Sequence, residues 1–259
     1  MNNSAIIKTL DPDTRQLLAL ARQAGYPPFE ALTPEKARVA YAAGWASMQM
    51  DGGEVASVKD VRIEGPGGSL TLRIYRGEGT HAETQLPCMV FLHGGGWVIG
   101  NLESHDRLCR RLANVARLCV IAVDYRLAPE HPFPAAIDDS ICAWRWIHSN
   151  AKELNIDPSA IAVGGDSAGG NLAAALALMG RDGDVRAPVY QALIYPALDL
   201  RAQCDSYQSV TKDVPLTAST MHYFIGHYTP KAVDRLDWRA SPLLADSLKD
   251  VAPTLIMTV

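Results

Sequence analysis

Gly165-Asp166-Ser167-Ala168-Gly169 joins the apolar run Ile161-Ala162-Val163 to a stretch of helical character, Asn171 to Met179. A strand that runs through one serine into a helix must turn sharply there. Glycines on both sides leave room for that bend. The bend lifts the Ser167 hydroxyl above the sheet. It also places the Ala168 N–H at a helix N-terminus, where unpaired donors and the helix dipole favour a developing negative oxygen. The pentapeptide therefore constrains both the fold, which must alternate strand and helix here, and the chemistry, which centres on a serine oxygen.

The rest of the chain agrees with alternation. Cys88 to Leu92, Cys119 to Val123, Ile161 to Val163, Val189 to Ile194 and Thr254 to Val259 are short, nearly continuous apolar runs. Such runs suit strands covered by helices on both faces. Helical spacing over Ser104 to Leu118, Ala135 to Leu154 and Ser167 to Met179 separates most of them. The pattern predicts an α/β fold with a mostly parallel sheet flanked by helices, whose ligands bind at the carboxyl ends of the strands. Val55 to Ile63 and Leu70 to Tyr75 alternate apolar and polar residues around Gly65-Pro66-Gly67-Gly68, which predicts a hairpin with one wet face.

The helical stretches 12–24 and 34–48, parted by Pro27-Pro28, place cap helices in residues 1–50. The core then occupies 51–259. A polar and aromatic insertion at about 204–230 reads as a further part of the cap, packed with the N-terminal helices.

Composition narrows the function. The 259 residues carry 24 basic and 28 acidic side chains for a formal charge of -4, well mixed, so there is no basic stripe for nucleic acid. The longest apolar run, Leu172 to Met179, is too short to span a bilayer. Met1 to Lys8 does not read as a signal peptide, and the sequon Asn2-Asn3-Ser4 then has no meaning. The five cysteines, Cys88, Cys109, Cys119, Cys142 and Cys204, form no C-x-x-C and read as reduced thiols in packed positions of a cytoplasmic protein. His222 and His227 stand five apart, off a common helical face, so no metal site is expected.

After the strand ending at Leu92 comes His93-Gly94-Gly95-Gly96-Trp97. Its bare amides suit a negative oxygen, and neither glycine cluster has a nucleotide-binding spacing. These two motifs, in this order, resemble the α/β-hydrolase fold, and more narrowly the hormone-sensitive-lipase family of carboxylesterases. The resemblance runs through nearly the whole chain. It includes Asp124-Tyr125-Arg126-Leu127-Ala128-Pro129-Glu130, His131-Pro132-Phe133-Pro134-Ala135-Ala136, Tyr195-Pro196-Ala197-Leu198-Asp199 and Ser241-Pro242-Leu243.

The resemblance implies a cofactor-free hydrolase of short-acyl, small-molecule esters. Ser167 would be the nucleophile, and the amides of Gly94, Gly95 and Ala168 the oxyanion hole. His93, Asp166 and the segment 124–130 would hold backbone in place, with His105 and His131 structural. The family order of serine, acid and histidine puts the last two beyond the strand that 253–259 resembles. The resemblance therefore implies that the last strand and helix, with the acid and base, are missing from this sequence, and that hydrolysis is impaired. A non-catalytic ligand-binding form is the alternative. Asp199, His222 and His227 are the weaker substitutes. An uncovered strand Thr254 to Val259 would further invite a homodimer through its edge.

Overall fold

The computed structural model describes residues 10–25, 27–48, 51–212 and 214–258. The signal-peptide and sequon readings, and Val259, lie outside them. The helices α1 (Pro12–Ala24) and α2 (Pro34–Met48) come first, then the hairpin β1 (Ser57–Gly65) and β2 (Gly68–Arg76). Next are β3 (Leu86–Leu92), α3 (Leu102–Ala116), β4 (Cys119–Val123), α4 (Ala135–Ser149), β5 (Ile156–Asp166) and α5 (Ala168–Asp182). The chain then runs through β6 (Gln191–Ile194), α6 (Ser206–Ser209) and α7 (Ala218–Tyr228) to β7 (Thr254–Met257).

The seven strands form one sheet in the order β1-β2-β4-β3-β5-β6-β7. The pairs β1–β2 and β2–β4 are antiparallel, and all others are parallel. Parallel neighbours need crossover helices, which cover both faces. All five residues of β4 are buried for that reason. β3 and β5 lie side by side with Leu92 opposite Gly165, so the loops that follow them open at one end of the sheet. This adjacency of the glycine loop and the serine turn positions the site.

The segment around α7 packs against the short turn 29–31 that joins α1 to α2. Phe224 meets Phe29 at 5.8 Å between ring centres, and the Thr220 hydroxyl donates to Glu30 at 2.8 Å. Among the described residues no helix is long and apolar enough to cross a membrane.

Several expectations change. β5 is far longer than 161–163, because Asp157-Pro158-Ser159 interrupts its apolar pattern. The pairing with β3 slips there, from Leu86 opposite Ile156 to Cys88 opposite Ile161. α3 stops at Ala116, since Arg117 takes a left-handed conformation with φ 51°, and Val115 faces solvent. α4 ends at Ser149 rather than 154. β6 starts at Gln191, with Val189 and Tyr190 exposed. β7 is not buried. It is the outermost strand, and Leu255, Ile256 and Met257 are 46%, 53% and 51% exposed. Cys88, Cys109 and Cys119 are buried, but Cys142 is only half-buried and Cys204 is exposed.

Candidate active site

Ser167 sits between β5 and α5 with φ 52° and ψ -114°, a backbone state that costs a non-glycine residue roughly 1–3 kcal/mol. Its surroundings impose it. The Ser167 N–H donates to Ile194 at 2.8 Å, and its carbonyl accepts from Asn171 at 3.0 Å and Ala197 at 3.2 Å. The Asn171 side chain donates in turn to the carbonyls of Ala197 and Ala240, both at 2.7 Å. A Cβ on Gly169 would overlap the Leu92 carbonyl oxygen, so the helix can start this close to β3 only with glycine there. Ala168 is the first residue of α5, and its N–H has no acceptor within the helix.

The glycine loop is fixed by buried polar contacts. The Gly94 N–H donates to Asp166 Oδ1 at 2.9 Å, and His105 Nε2 lies 3.1 Å from the same oxygen. Burial alone would raise the Asp166 carboxyl. The His105 and Gly94 hydrogen bonds outweigh it and hold the group below the usual carboxylate range. His93 stacks on Tyr125 at 4.3 Å and faces the Gly94 carbonyl through Nδ1 at 2.8 Å. Burial, with His105 nearby, pushes the His93 imidazole down to about 4. The Tyr125 hydroxyl donates to the His93 carbonyl. Arg126 ties the following loop to Asp139 through its backbone N–H at 2.9 Å and its guanidinium at 2.8 Å.

These contacts change the expected donor set. The sequence predicts Gly94, Gly95 and Ala168 as donors to a substrate oxygen, yet the Gly94 amide is committed to Asp166. Gly95, at φ 121°, turns its carbonyl inward to accept from Val98 and Ile99 at 3.1 and 2.9 Å. The amides of Gly95 and Gly96 make no hydrogen bond among the described residues. In the sequence Gly94, Gly95 and Gly96 offer the same bare amide, and only the Gly94–Asp166 contact distinguishes Gly94 from the other two.

Ser167 lines a cleft of about 580 Å³ between the strand ends and the segment 203–225. Leu198, Val210, Leu216, Met221 and Leu243 make much of its wall apolar, and Tyr195 also lines it. No histidine is among the described residues that line it. His222 packs behind Tyr207, with ring centres 5.5 Å apart, and His227 packs on Tyr223 at 4.6 Å. Asp199 does line the cleft, but Arg201 holds its carboxylate at 2.9 and 2.7 Å and keeps it below its ordinary range.

One residue had no signal in the sequence. Arg38, on α2, donates to the carbonyls of Val98 at 2.8 Å and Ala128 at 2.9 Å, and grips Glu130 at 2.8 and 2.6 Å. It clamps α2 directly onto Val98, at the end of the glycine loop.

Residues 89–259 match the α/β hydrolase fold family. Carboxylic ester hydrolase LipN of Mycobacterium tuberculosis is 40% identical over 258 residues, an alignment covering 96% of this chain and 67% of that protein. Ethyl acetate hydrolase of Pseudomonas putida is 38% identical over 255 residues, covering 96% of this chain and 80% of its own. Among solved structures, an α/β hydrolase from the metagenome of Lake Arreo superposes with a TM-score of 0.90 at 42% identity, over 95% of this chain and 78% of that one. A thermostable esterase from Pseudomonas putida gives 0.91 at 34% identity, over 96% and 78%.

Proposed function

Because the chain belongs to the α/β-hydrolase family, among relatives that are carboxylic ester hydrolases, we propose that it cleaves short-acyl esters through an acyl-enzyme on Ser167. The observation that carries this reading is the strained Ser167 turn, set beside the open amides of Gly95 and Gly96 at one end of the sheet. In the proposed reaction Ser167 Oγ attacks the ester carbonyl. The carbonyl oxygen becomes an anion and takes hydrogen bonds from the Ala168 and Gly95 N–H groups, with Gly96 next in the loop. Donors already aimed at that position need no reorganisation when the charge appears. With no base among the described residues of the cleft, water takes the proton of the attacking hydroxyl. Collapse of the tetrahedral species breaks the bond to the alkoxy oxygen, which takes a proton from water and leaves as the alcohol. A second water then attacks the acyl-serine carbonyl, releases the carboxylic acid and returns the free serine hydroxyl. The apolar wall of Leu198, Met221 and Leu243 suits a short hydrocarbon acyl or alcohol group. No cofactor enters this chemistry.

A serine hydroxyl is a weak nucleophile at neutral pH without a base, and no histidine among the described residues lines the cleft. The proposal therefore includes weak turnover for these 259 residues. The oxyanion donors and substrate binding alone support roughly 10³–10⁴-fold acceleration over water. The same observation favours a second reading, a fold that binds a small ester or acid without cleaving it.

Hydrolysis of p-nitrophenyl acetate by the chain, by its Ser167→Ala variant, and by the chain fused to the C-terminal segment of the Pseudomonas putida relative separates these readings. The esterase reading expects slow turnover, lost in the variant and raised several orders of magnitude in the fusion. Equal rates for chain and variant would remove Ser167 as nucleophile. A fusion that binds the ester without hydrolysing it would favour the binding reading.

A further inference from the structure

We propose that His105 is a positioning residue for ester cleavage: through Asp166 it fixes the Gly94 amide, and so aims the Gly95 and Gly96 amides at the oxygen that develops charge beside Ser167. The proposal rests on the reading of Ser167 as nucleophile.

His105 lies in the first turn of α3, away from the cleft, and is buried. Its ring is held from both sides. Nε2 is 3.1 Å from Asp166 Oδ1, and Nδ1 is 2.8 Å from Ser104 Oγ. Ser104 is itself locked into the start of α3. Its N–H donates to the Asn101 side chain at 2.9 Å, and its hydroxyl accepts from the Asn101 N–H at 3.0 Å. The helix start therefore fixes the ring, the ring fixes Asp166, and Asp166 fixes the Gly94 amide at 2.9 Å.

The trio Ser104, His105 and Asp166 has the composition of a serine-hydrolase relay, but the Ser104 hydroxyl is committed to the Asn101 carbonyl, to which it donates at 2.8 Å. Its output is mechanical. A buried carboxylate needs partners for its charge. Asp166 Oδ1 takes one from His105 and one from Gly94. Without His105, the carboxyl must gain a proton or turn toward another donor, and either change loosens the Gly94 contact. The next two amides belong to the same loop. A displacement of about 1 Å there is enough to cost on the order of 10²-fold in rate. The cleft wall that binds the ester does not touch His105. The loss should therefore appear in the transition state rather than in substrate binding.

The test compares His105→Leu, His105→Asn and His105→Gln with the parent chain. Glutamine places an N–H near the Nε2 position, whereas asparagine is too short to reach Asp166. Two readouts are taken: p-nitrophenyl acetate kinetics, and hydrogen exchange of the Gly94 amide by NMR. Expected for His105→Leu and His105→Asn are a kcat at least tenfold lower, a KM within twofold of the parent, and Gly94 exchange at least tenfold faster. His105→Gln should recover most of both.

Unchanged Gly94 exchange in His105→Asn would overturn the proposal whatever the activity. So would a raised KM with kcat intact. If His105→Leu does not fold, the Asn and Gln pair still decides. If Ser167→Ala hydrolyses as fast as the parent, the nucleophile reading falls on its own, and Gly94 exchange still reports on the link from His105.

Discussion

The Gly94 amide and the Asp166 carboxylate, 72 residues apart in sequence, are joined by a 2.9 Å hydrogen bond. It connects the loop after β3 to the last residue of β5, one position before Ser167. Asp166 thus sets the spacing between the turn that presents the hydroxyl and the loop that presents the amides. Asp166→Ala leaves His105 and the Gly94 N–H without this partner in the interior. Leaving buried hydrogen-bonding groups without a partner costs about 1–3 kcal/mol. The variant should show that loss in urea denaturation at pH 7, together with a lower kcat. An unchanged denaturation midpoint would mean that water or another side chain replaces the carboxylate.

Ser167 should trade stability for its exposed hydroxyl. At φ 52° a glycine relieves the strain that any side chain suffers. Ser167→Gly is expected to raise stability by about 1 kcal/mol, or roughly 2–4 °C in melting temperature, while removing hydrolysis. Ser167→Ala keeps the Cβ and should give no such gain. Equal melting temperatures for the two variants would show that the turn carries no usable strain.

The fold should be sensitive to mild acid. His93 is fully buried, and its Nε2 has no partner among the described residues. Its folded value of about 4 lies below the ordinary 6.5. Between those values the unfolded chain binds a proton that the native state refuses. Stability is therefore intact above pH 6.5 and falls as the pH drops toward 4, by an amount on the order of 3 kcal/mol. Half-buried His148, also pushed down to about 4 by burial and by Arg186, acts in the same direction. Urea midpoints measured from pH 7 to pH 4 should decline across this window. A flat profile would show that His93 takes up its proton in the folded state.

The docking of α2 should depend on Arg38. Arg38→Ala removes four hydrogen bonds that tie α2 to Val98, Ala128 and Glu130. The ion pair is partly exposed and worth on the order of 1 kcal/mol at most, so global unfolding should barely move. Local opening should change more, with faster proteolysis within residues 27–48. Glu130, held down to about 2 by the Arg38 hydrogen bond, contributes fully above its ordinary 4.5 and loses its effect as pH falls toward 2. Residues 27–48 of the parent should accordingly become protease-sensitive over that range. Identical digestion of parent and variant at pH 7 would show that apolar contacts such as Phe29–Phe224 hold this segment unaided.

What the sequence made legible follows from how local each signal is. The β4 boundaries come out of five apolar residues between helices, and the Ser167 turn comes out of its flanking glycines. Pairings across long separations left no trace. Arg38 reads as one more cation on a surface helix, because its acceptors are carbonyls and Glu130, which lies 92 residues away. Gly94 and Gly96 are indistinguishable in a run of three glycines, and only the position of Asp166 tells which amide is occupied. β5 reads short in the sequence because a bulge near Pro158 breaks the apolar run without ending the strand. The apolar pattern of β7 speaks for its hydrophobicity, whereas its exposure is decided by which strand lies outermost.

That exposure carries the remaining prediction. β7 pairs with β6 along one side, and its other side forms the sheet edge. Leu255, Ile256 and Met257 are all exposed there, with no charge or proline after Pro253 up to the last described residue. An uncovered apolar edge offers backbone donors and acceptors to any similar strand, and natural edges are usually blunted by charge, proline or a bulge. Two copies can satisfy each other by pairing β7 against β7. The chain is therefore expected to form a dimer through this strand, or to precipitate, at micromolar concentrations. Ile256→Lys places a charge in the middle of the edge and should shift the population to monomer without lowering the melting temperature by more than a few degrees. Light scattering with size-exclusion chromatography reads both outcomes. A monodisperse parent monomer would show that the edge is not sticky enough to pair, and a dimer that persists in Ile256→Lys would place the interface elsewhere.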